Sequence, residues 1–176
     1  MTTTLSLRIG ISRCLLGDNV RHDGGHKRDG FLIETLGRYV EWVPVCPEVE
    51  IGLGTPREAI RLVGDPRAPR LITITSRVDH TEAMERFSQQ RVRELEALAL
   101  SGYVFKADSP SCGIARVSLL NAQGTETQDG VGLFARAFMK HFPLLPVEDE
   151  SQLHDPQAMD NFLARARAYR RSRNNV

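Results

Sequence analysis

Tyr103-Val104-Phe105-Lys106-Ala107-Asp108-Ser109-Pro110-Ser111-Cys112-Gly113 is the stretch on which the reading turns. Three consecutive apolar residues read as a short buried strand. They run without a break into a polar cluster of Asp, Ser, Pro and Gly, the residue types that form turns at strand ends. A cysteine closes that cluster. The same grammar occurs twice upstream. Leu5 to Ile11 alternates and then runs apolar before Ser12-Arg13-Cys14, and Tyr39 to Val45 reads as a strand before Cys46-Pro47.

Outward from these strands the chain alternates. Phe31 to Leu36 has helical character and stops at Gly37, a natural residue just past a helix end. Thr81 to Leu100 carries one apolar stripe through Met84, Phe87, Val92, Leu95, Leu98 and Ala99, with Asp79 and Glu82 favouring its start and Gly102 its stop. Gly132 to Phe142 predicts another helix, ended by Pro143, and Leu144 to Val147 a last short strand. Asp155-Pro156 opens the final helix, whose buried face is Met159, Phe162, Leu163, Ala166 and Tyr169. Ala59 to Val63 and Leu71 to Thr75 look extended around Gly64-Asp65-Pro66, which suits a hairpin. A short helix begun by Thr55, with Pro56 at its first position and Glu58 closing a capping box, is the alternative. Strands alternating with helices predict an α/β single domain: a mainly parallel open sheet with helices on both faces, a Rossmann-like arrangement over residues 1–176 with a basic tail over about 171–176.

Composition bounds the function. A chain of 176 residues can bury on the order of 70% of its unfolded surface, so no staple is needed to fold it. With 41% apolar and 26% charged residues it has the make-up of a globular protein. Lys plus Arg number 23 against 22 Asp plus Glu, and a net charge of +1 offers no whole-molecule field for nucleic acid or an anionic membrane. A small ligand is the expected partner. Met1 to Ile11 lacks the pattern of a secretory leader and no run approaches 18 apolar residues, so a cytoplasmic protein without a membrane span is expected. Three cysteines in such a compartment argue against structural disulfides.

Cys14, Cys46 and Cys112 each lie just past the carboxyl end of a predicted strand. In open α/β sheets ligands bind outside that edge, so three loops leaving it can converge. Core packing is the plain alternative, since cysteine is among the most buried residue types. Pro47 after Cys46, and Ser111 and Gly113 around Cys112, suit ligand loops better than a core. Structural zinc normally shows paired C-x-x-C spacing, which is missing. A cubane cluster prefers thiolates, tolerates wide spacing and, on three ligands, keeps one iron open to an exogenous group. Sulfur is the group such a soft site favours. Read alone, the residues stop at a sulfur-loving metal site with Glu48 beside it as a candidate acid or base.

Other candidates compete with simpler roles. Ser109 and Ser111 can bond substrate or move a proton, or simply form the turn. Lys106 can contact a ligand or pair with Asp108. The loop Ser12 to Gly30 is long and lacks periodicity, as functional loops do, and brings His22, His26, Lys27 and Arg28 as contacts for an anionic or heterocyclic ligand or as a solvated basic face. Gly52-Leu53-Gly54 is no dinucleotide fingerprint, because Arg57 stands where the third glycine belongs, and no P-loop is present.

These residues form an ordered series: Ser12-Arg13-Cys14-Leu15-Leu16-Gly17; Val20-Arg21-His22-Asp23-Gly24-Gly25-His26-Lys27; Val45-Cys46-Pro47-Glu48; Gly52-Leu53-Gly54 with Pro56-Arg57-Glu58; Lys106 to Gly113; and Leu144 to Glu150. Together they resemble the bacterial 2-thiouracil desulfurase family, long catalogued as a domain of unknown function, from about Ile11 to Phe162. His22 stands where many members carry tyrosine. The resemblance implies one α/β domain holding a 4Fe-4S cluster through Cys14, Cys46 and Cys112, with one open iron that takes the thione sulfur. It implies desulfuration of thiolated uracil, 2-thiouracil to uracil plus hydrogen sulfide, without an external electron donor. Glu48 corresponds to the family's acid/base and Ser109 to its catalytic serine, leaving His26, Lys106 and Ser111 as candidate substrate contacts.

The partners then expected are a small thiolated nucleobase and the machinery that assembles clusters, with no stable nucleic-acid complex, in a monomer or homodimer. A second reading, carried by Arg165, Arg167, Arg170, Arg171 and Arg173, is a carrier of sulfide or cluster that docks on a thiolated RNA or a protein partner.

Overall fold

The computed structural model describes residues 6–174. Leu5 and positions 175 and 176 of the expected basic tail lie outside them. Four strands, β1 (Leu7–Ser12), β2 (Val40–Val45), β5 (Gly102–Phe105) and β8 (Val147–Asp149), form a wholly parallel sheet in the order β2-β1-β5-β8. The chain steps from β1 to one side for β2 and returns to the other side for β5. The order therefore reverses between β1 and β5, the point where loops at the carboxyl edge diverge and leave a crevice.

The pleat decides what covers each face. On β5, Val104 points to the side where Leu7, Ile9 and Ile11 of β1 meet α1 (Gly30–Thr35) and α5 (Pro156–Asn174), through Leu32, Met159, Phe162 and Leu163. Tyr103 and Phe105 point to the opposite side, where α3 (Thr81–Ala97) and α4 (Leu133–His141) close the core with Met84, Leu95, Phe134 and Phe138. Helices thus cover both faces, as the alternation of elements predicts. Gly10 pairs with Tyr103 across the sheet, and a Cβ on it would lie 2.1 Å from the Tyr103 ring, so only glycine admits that ring there.

A second four-stranded sheet, of which the sequence predicts only the hairpin around Gly64-Asp65-Pro66, packs on the α3/α4 side in the order β4-β3-β6-β7. Its β3 (Ile60–Asp65) and β4 (Ala68–Thr73) make the antiparallel hairpin, which decides against a helix begun by Thr55. β6 (Val117–Leu120) joins β3 in parallel and turns back antiparallel into β7 (Glu126–Gly130). The signal for this second hairpin is weak: apart from Gly130 its buried residues are Val117 and Leu119, and β7 is mostly polar.

Several boundaries move. The helix expected to reach Leu100 ends at Ala97, because Ala99 takes a left-handed backbone (φ 53°) that turns the chain to bury Leu100. The last strand starts at Val147 rather than Leu144. Leu144 is 83% exposed, and sheet pairing begins only where Val147 stands beside Tyr103. The Arg-rich end continues α5 to Asn174, with Arg165 paired to Glu148. Among the described residues no helix is long and apolar enough to cross a membrane.

Candidate metal centre

The loop after β1 tightens at once into a 3-10 turn, Arg13–Leu16, that ends on Gly17 in a left-handed conformation (φ 100°). Leu15 is buried and anchors the turn, and the amide of Lys27 donates to the carbonyl of Cys14 at 3.0 Å, folding the long loop back over it. Past β2, Cys46 is the N-cap of the short helix α2 (Pro47–Glu50), with Pro47 in the first helical position. Glu50 reaches back to accept the Cys46 amide at 3.1 Å, and Arg91 of α3 holds Glu50 at 3.1 Å. One glutamate of this turn thus steadies Cys46 while the other, Glu48, faces the cavity.

The third loop is the most constrained. Ser109 accepts the amides of Cys112 at 3.0 Å and Ser111 at 3.3 Å, and its carbonyl accepts the amide of Gly113 at 2.8 Å. Gly113 is pressed against Ser109 and Val117. The start of α4 lies directly behind Ser111 and Cys112, where a Cβ on Gly132 would fall 2.5 Å from the Ser111 carbonyl carbon. The loop's first residues are pinned as well. The Lys106 amide donates to the Ser12 hydroxyl at 2.9 Å, and Glu150 accepts both the Lys106 ammonium and the Ala107 amide, the latter at 2.7 Å.

Cys14, Cys46 and Cys112, all free thiols, line a single cavity of about 370 Å³ at the carboxyl edge of the parallel sheet. Cys14 follows β1 and Cys112 follows β5, so they flank the switch point. Glu48, Ser109, Ser111 and Lys106 share the wall with them. His26 does not. It is exposed, its Nδ1 accepts the Arg28 amide at 3.0 Å, and His22 and Lys27 from the same loop line the cavity instead. The expected Lys106–Asp108 pair is replaced by Lys106–Glu150, since β8 brings Glu150 alongside the end of β5.

Burial pushes the Cys14 thiol up to about 11, with neighbouring Cys46 adding to the shift. Burial also raises Cys46, and it raises Cys112 strongly although the Ser12 and Ser111 hydroxyls oppose it. One buried and two partly buried thiols with raised values become thiolates only alongside a cationic partner, and thiolates select soft metals. Among the described residues no three Cys, His, Asp or Glu side chains gather closely enough to grip one ion. An all-thiol donor set distributed around a cavity fits a multinuclear cluster, whose protein-bound irons take one thiolate each.

Arg57 is the residue that sequence reasoning passed over. It entered as the side chain that breaks a glycine pattern and as a member of the Pro56-Arg57-Glu58 motif, with no role assigned. In the fold its guanidinium is buried, 6% exposed, and both Nε and Nη2 donate to Glu48 Oε2, at 3.0 and 2.6 Å. Its backbone amide donates to the His22 carbonyl at 2.9 Å, joining two loops over the cavity. Glu50, Arg91 and Glu150 likewise had no role assigned, Arg91 and Glu150 because their partners Glu50 and Lys106 are distant in sequence.

A parallel α/β sheet whose carboxyl edge gathers three thiols, a clamped carboxylate and a serine pair around one cavity has the layout of an enzyme site with donors suited to a soft metal. The chain belongs to the 2-thiouracil desulfurase family, which it matches over residues 9–150, and it is an enzyme of that family. It is similar to the solved structure of the [4Fe-4S]-dependent thiouracil desulfidase TudS (DUF523Vcz), with a TM-score of 0.72 and 28% identity over 90% of this chain and 99% of that one. It is also 30% identical over 108 residues to the uncharacterized protein YbbK of Bacillus subtilis (strain 168), a match spanning 58% of this chain and 71% of that relative.

Proposed function

We propose that this chain removes sulfur from a thiolated uracil, converting 2-thiouracil and water to uracil and hydrogen sulfide, at a 4Fe-4S cluster held by Cys14, Cys46 and Cys112. The observation that carries the reading is the convergence of the three thiols with Glu48 and Ser109 on one cavity. The cluster-dependence of TudS supports it. Held by Cys14, Cys46 and Cys112, such a cluster would supply soft Lewis acidity toward the thione sulfur.

The chain's own residues supply the rest. Glu48 takes the proton of the attacking water at Oε1, because Oε2 is filled by two Arg57 donors. Ser109, on the same cavity wall, offers its hydroxyl to the substrate or for moving a proton. The Lys106 ammonium, drawn to Glu150, holds the loop and contributes positive charge to the wall. His22 and Lys27 stand on the wall as contacts for the ring's polar edge, a role for which His26 is worse placed.

The test is turnover. Anaerobically reconstituted protein is incubated with 2-thiouracil while loss of thione absorbance and release of sulfide are followed. Stoichiometric uracil and sulfide are expected; no turnover by fully clustered protein overturns the assignment.

A further inference from the structure

We infer that Ser111 is a proton relay joining Glu48 to Ser109, an inference that rests on the desulfidase reading above. Hydrolysis of a thione has a fixed proton account. The C–O bond forms, the C–S bond breaks, and both protons of the attacking water must end on sulfur as hydrogen sulfide, with no electron gained or lost. A site for this reaction has to collect protons at one place and deliver them at another.

Ser111 stands between the two groups suited to those ends. Its hydroxyl donates to Glu48 Oε1 at 2.8 Å and lies 3.1 Å from the hydroxyl of Ser109. A hydroxyl has one proton to give, and a carboxylate oxygen only accepts, so the Ser109 hydroxyl donates to Ser111. Ser109 remains an acceptor for the Cys112 and Ser111 amides. The Cys112 sulfur, at 3.8 Å, is a poorer target for the Ser111 proton than the nearer carboxylate. The result is a directed chain, Ser109 to Ser111 to Glu48.

Arg57 gives the chain its direction. By occupying Oε2 with two donors it leaves Oε1 as the oxygen that receives a proton. Once Oε1 is protonated it becomes a donor, Ser111 turns its own proton toward Ser109 in place of the longer 3.3 Å bond from the Ser111 amide, and Ser109 releases its proton into the cavity, once for each of the two protons of the water. Ser111 is 1% exposed, so this bridge is made inside the protein rather than through bulk water.

Ser109→Ala, Ser111→Ala, Ser111→Thr and the double variant Ser109→Ala/Ser111→Ala are compared as cluster-loaded enzymes of equal iron and sulfide content. Ser111→Ala is expected to lower kcat about 100-fold with KM little changed. Ser111→Thr, which keeps the hydroxyl, recovers part of the loss. The double variant is no slower than Ser109→Ala alone, because a chain is broken only once. A Ser111→Ala enzyme within about twofold of wild type, or losses that multiply in the double variant, overturns the relay.

A measurement on the wild type is independent of whether any variant folds. The rate in mixed light and heavy water is expected to curve with deuterium fraction, as two protons moving together require, and a linear dependence overturns the relay. Failure of the desulfidase reading looks different, since the clustered wild type itself then leaves 2-thiouracil unchanged.

Discussion

Arg57 directs two donors at one oxygen of Glu48, at 3.0 and 2.6 Å, while the other oxygen is left to Ser111. Both side chains are largely withdrawn from water, 6% and 13% exposed, so neither charge is well solvated without the other. Removing one partner strands the other. Arg57→Ala is expected to cost about 3 kcal/mol of stability, read as a lower urea midpoint at unchanged slope. Arg57→Lys, with its charge but without the planar pair of donors, falls between the two. A midpoint within error of wild type for Arg57→Ala would show that the clamp contributes nothing to the fold.

The cysteines make a compositional prediction. Anaerobically purified protein should contain about four irons and four acid-labile sulfides per chain. Cys14→Ser, Cys46→Ser and Cys112→Ser should each lose the brown absorbance while keeping the far-ultraviolet circular dichroism of the fold. Zinc in stoichiometric amount, with no sulfide, would replace the cluster by a mononuclear site.

Gly10 tests the packing beneath the site. A methyl group there would meet the Tyr103 ring at 2.1 Å, and Tyr103 is fully buried against Phe105 and Phe138. Gly10→Ala is expected to lose about 1–3 kcal/mol, the usual cost of overpacking a filled core. Equilibrium denaturation measures it, and an unchanged midpoint would mean that the ring has room to move.

Asp79 gives a pH dependence at the head of α3. Hydrogen bonds from Thr81, chiefly its hydroxyl, together with Arg70 hold the Asp79 carboxyl down to about 2 from an ordinary 3.8. A carboxylate whose value is lowered by folding stabilises the native state fully above its unfolded value, and the contribution disappears as the pH falls through the folded one. Asp79→Asn should therefore melt below wild type at pH 7, with the gap closing between about pH 4 and pH 2. A gap that persists at pH 2 would assign the effect to something other than charge.

The parallel sheet and the loops that carry chemistry were legible because their signals are local. Apolar runs of strand length stop at Gly, Ser, Asp and Pro, and the residue after each stop can be named. Cys14, Cys46 and Cys112 were found in this way, as was Glu48 by its nearness to Cys46. Of the second sheet only the hairpin around Gly64-Asp65-Pro66 was legible, since β7 is mostly polar and acquires its identity by pairing with β6. His26 and His22 are indistinguishable as letters in a loop, and only the folded path of residues 17–29 puts one on the cavity wall and leaves the other outside.

By itself the sequence determined that this is an α/β chain with three thiols at strand ends, because hydrophobic period and turn chemistry are written within a few residues of each position. Tertiary structure alone decided what surrounds those thiols. Arg57 on Glu48, Glu150 on Lys106, Arg91 on Glu50 and Ser12 against the Lys106 amide are pairings across 9 to 94 positions. Such partners are selected by burial: an arginine or a glutamate withdrawn from water must find an opposite charge or a hydrogen bond wherever the fold provides one. A linear sequence does not say which side chains will be withdrawn. The three cysteines mark, in the sequence, where a metal centre is proposed, and only the fold shows the buried pairs that surround them.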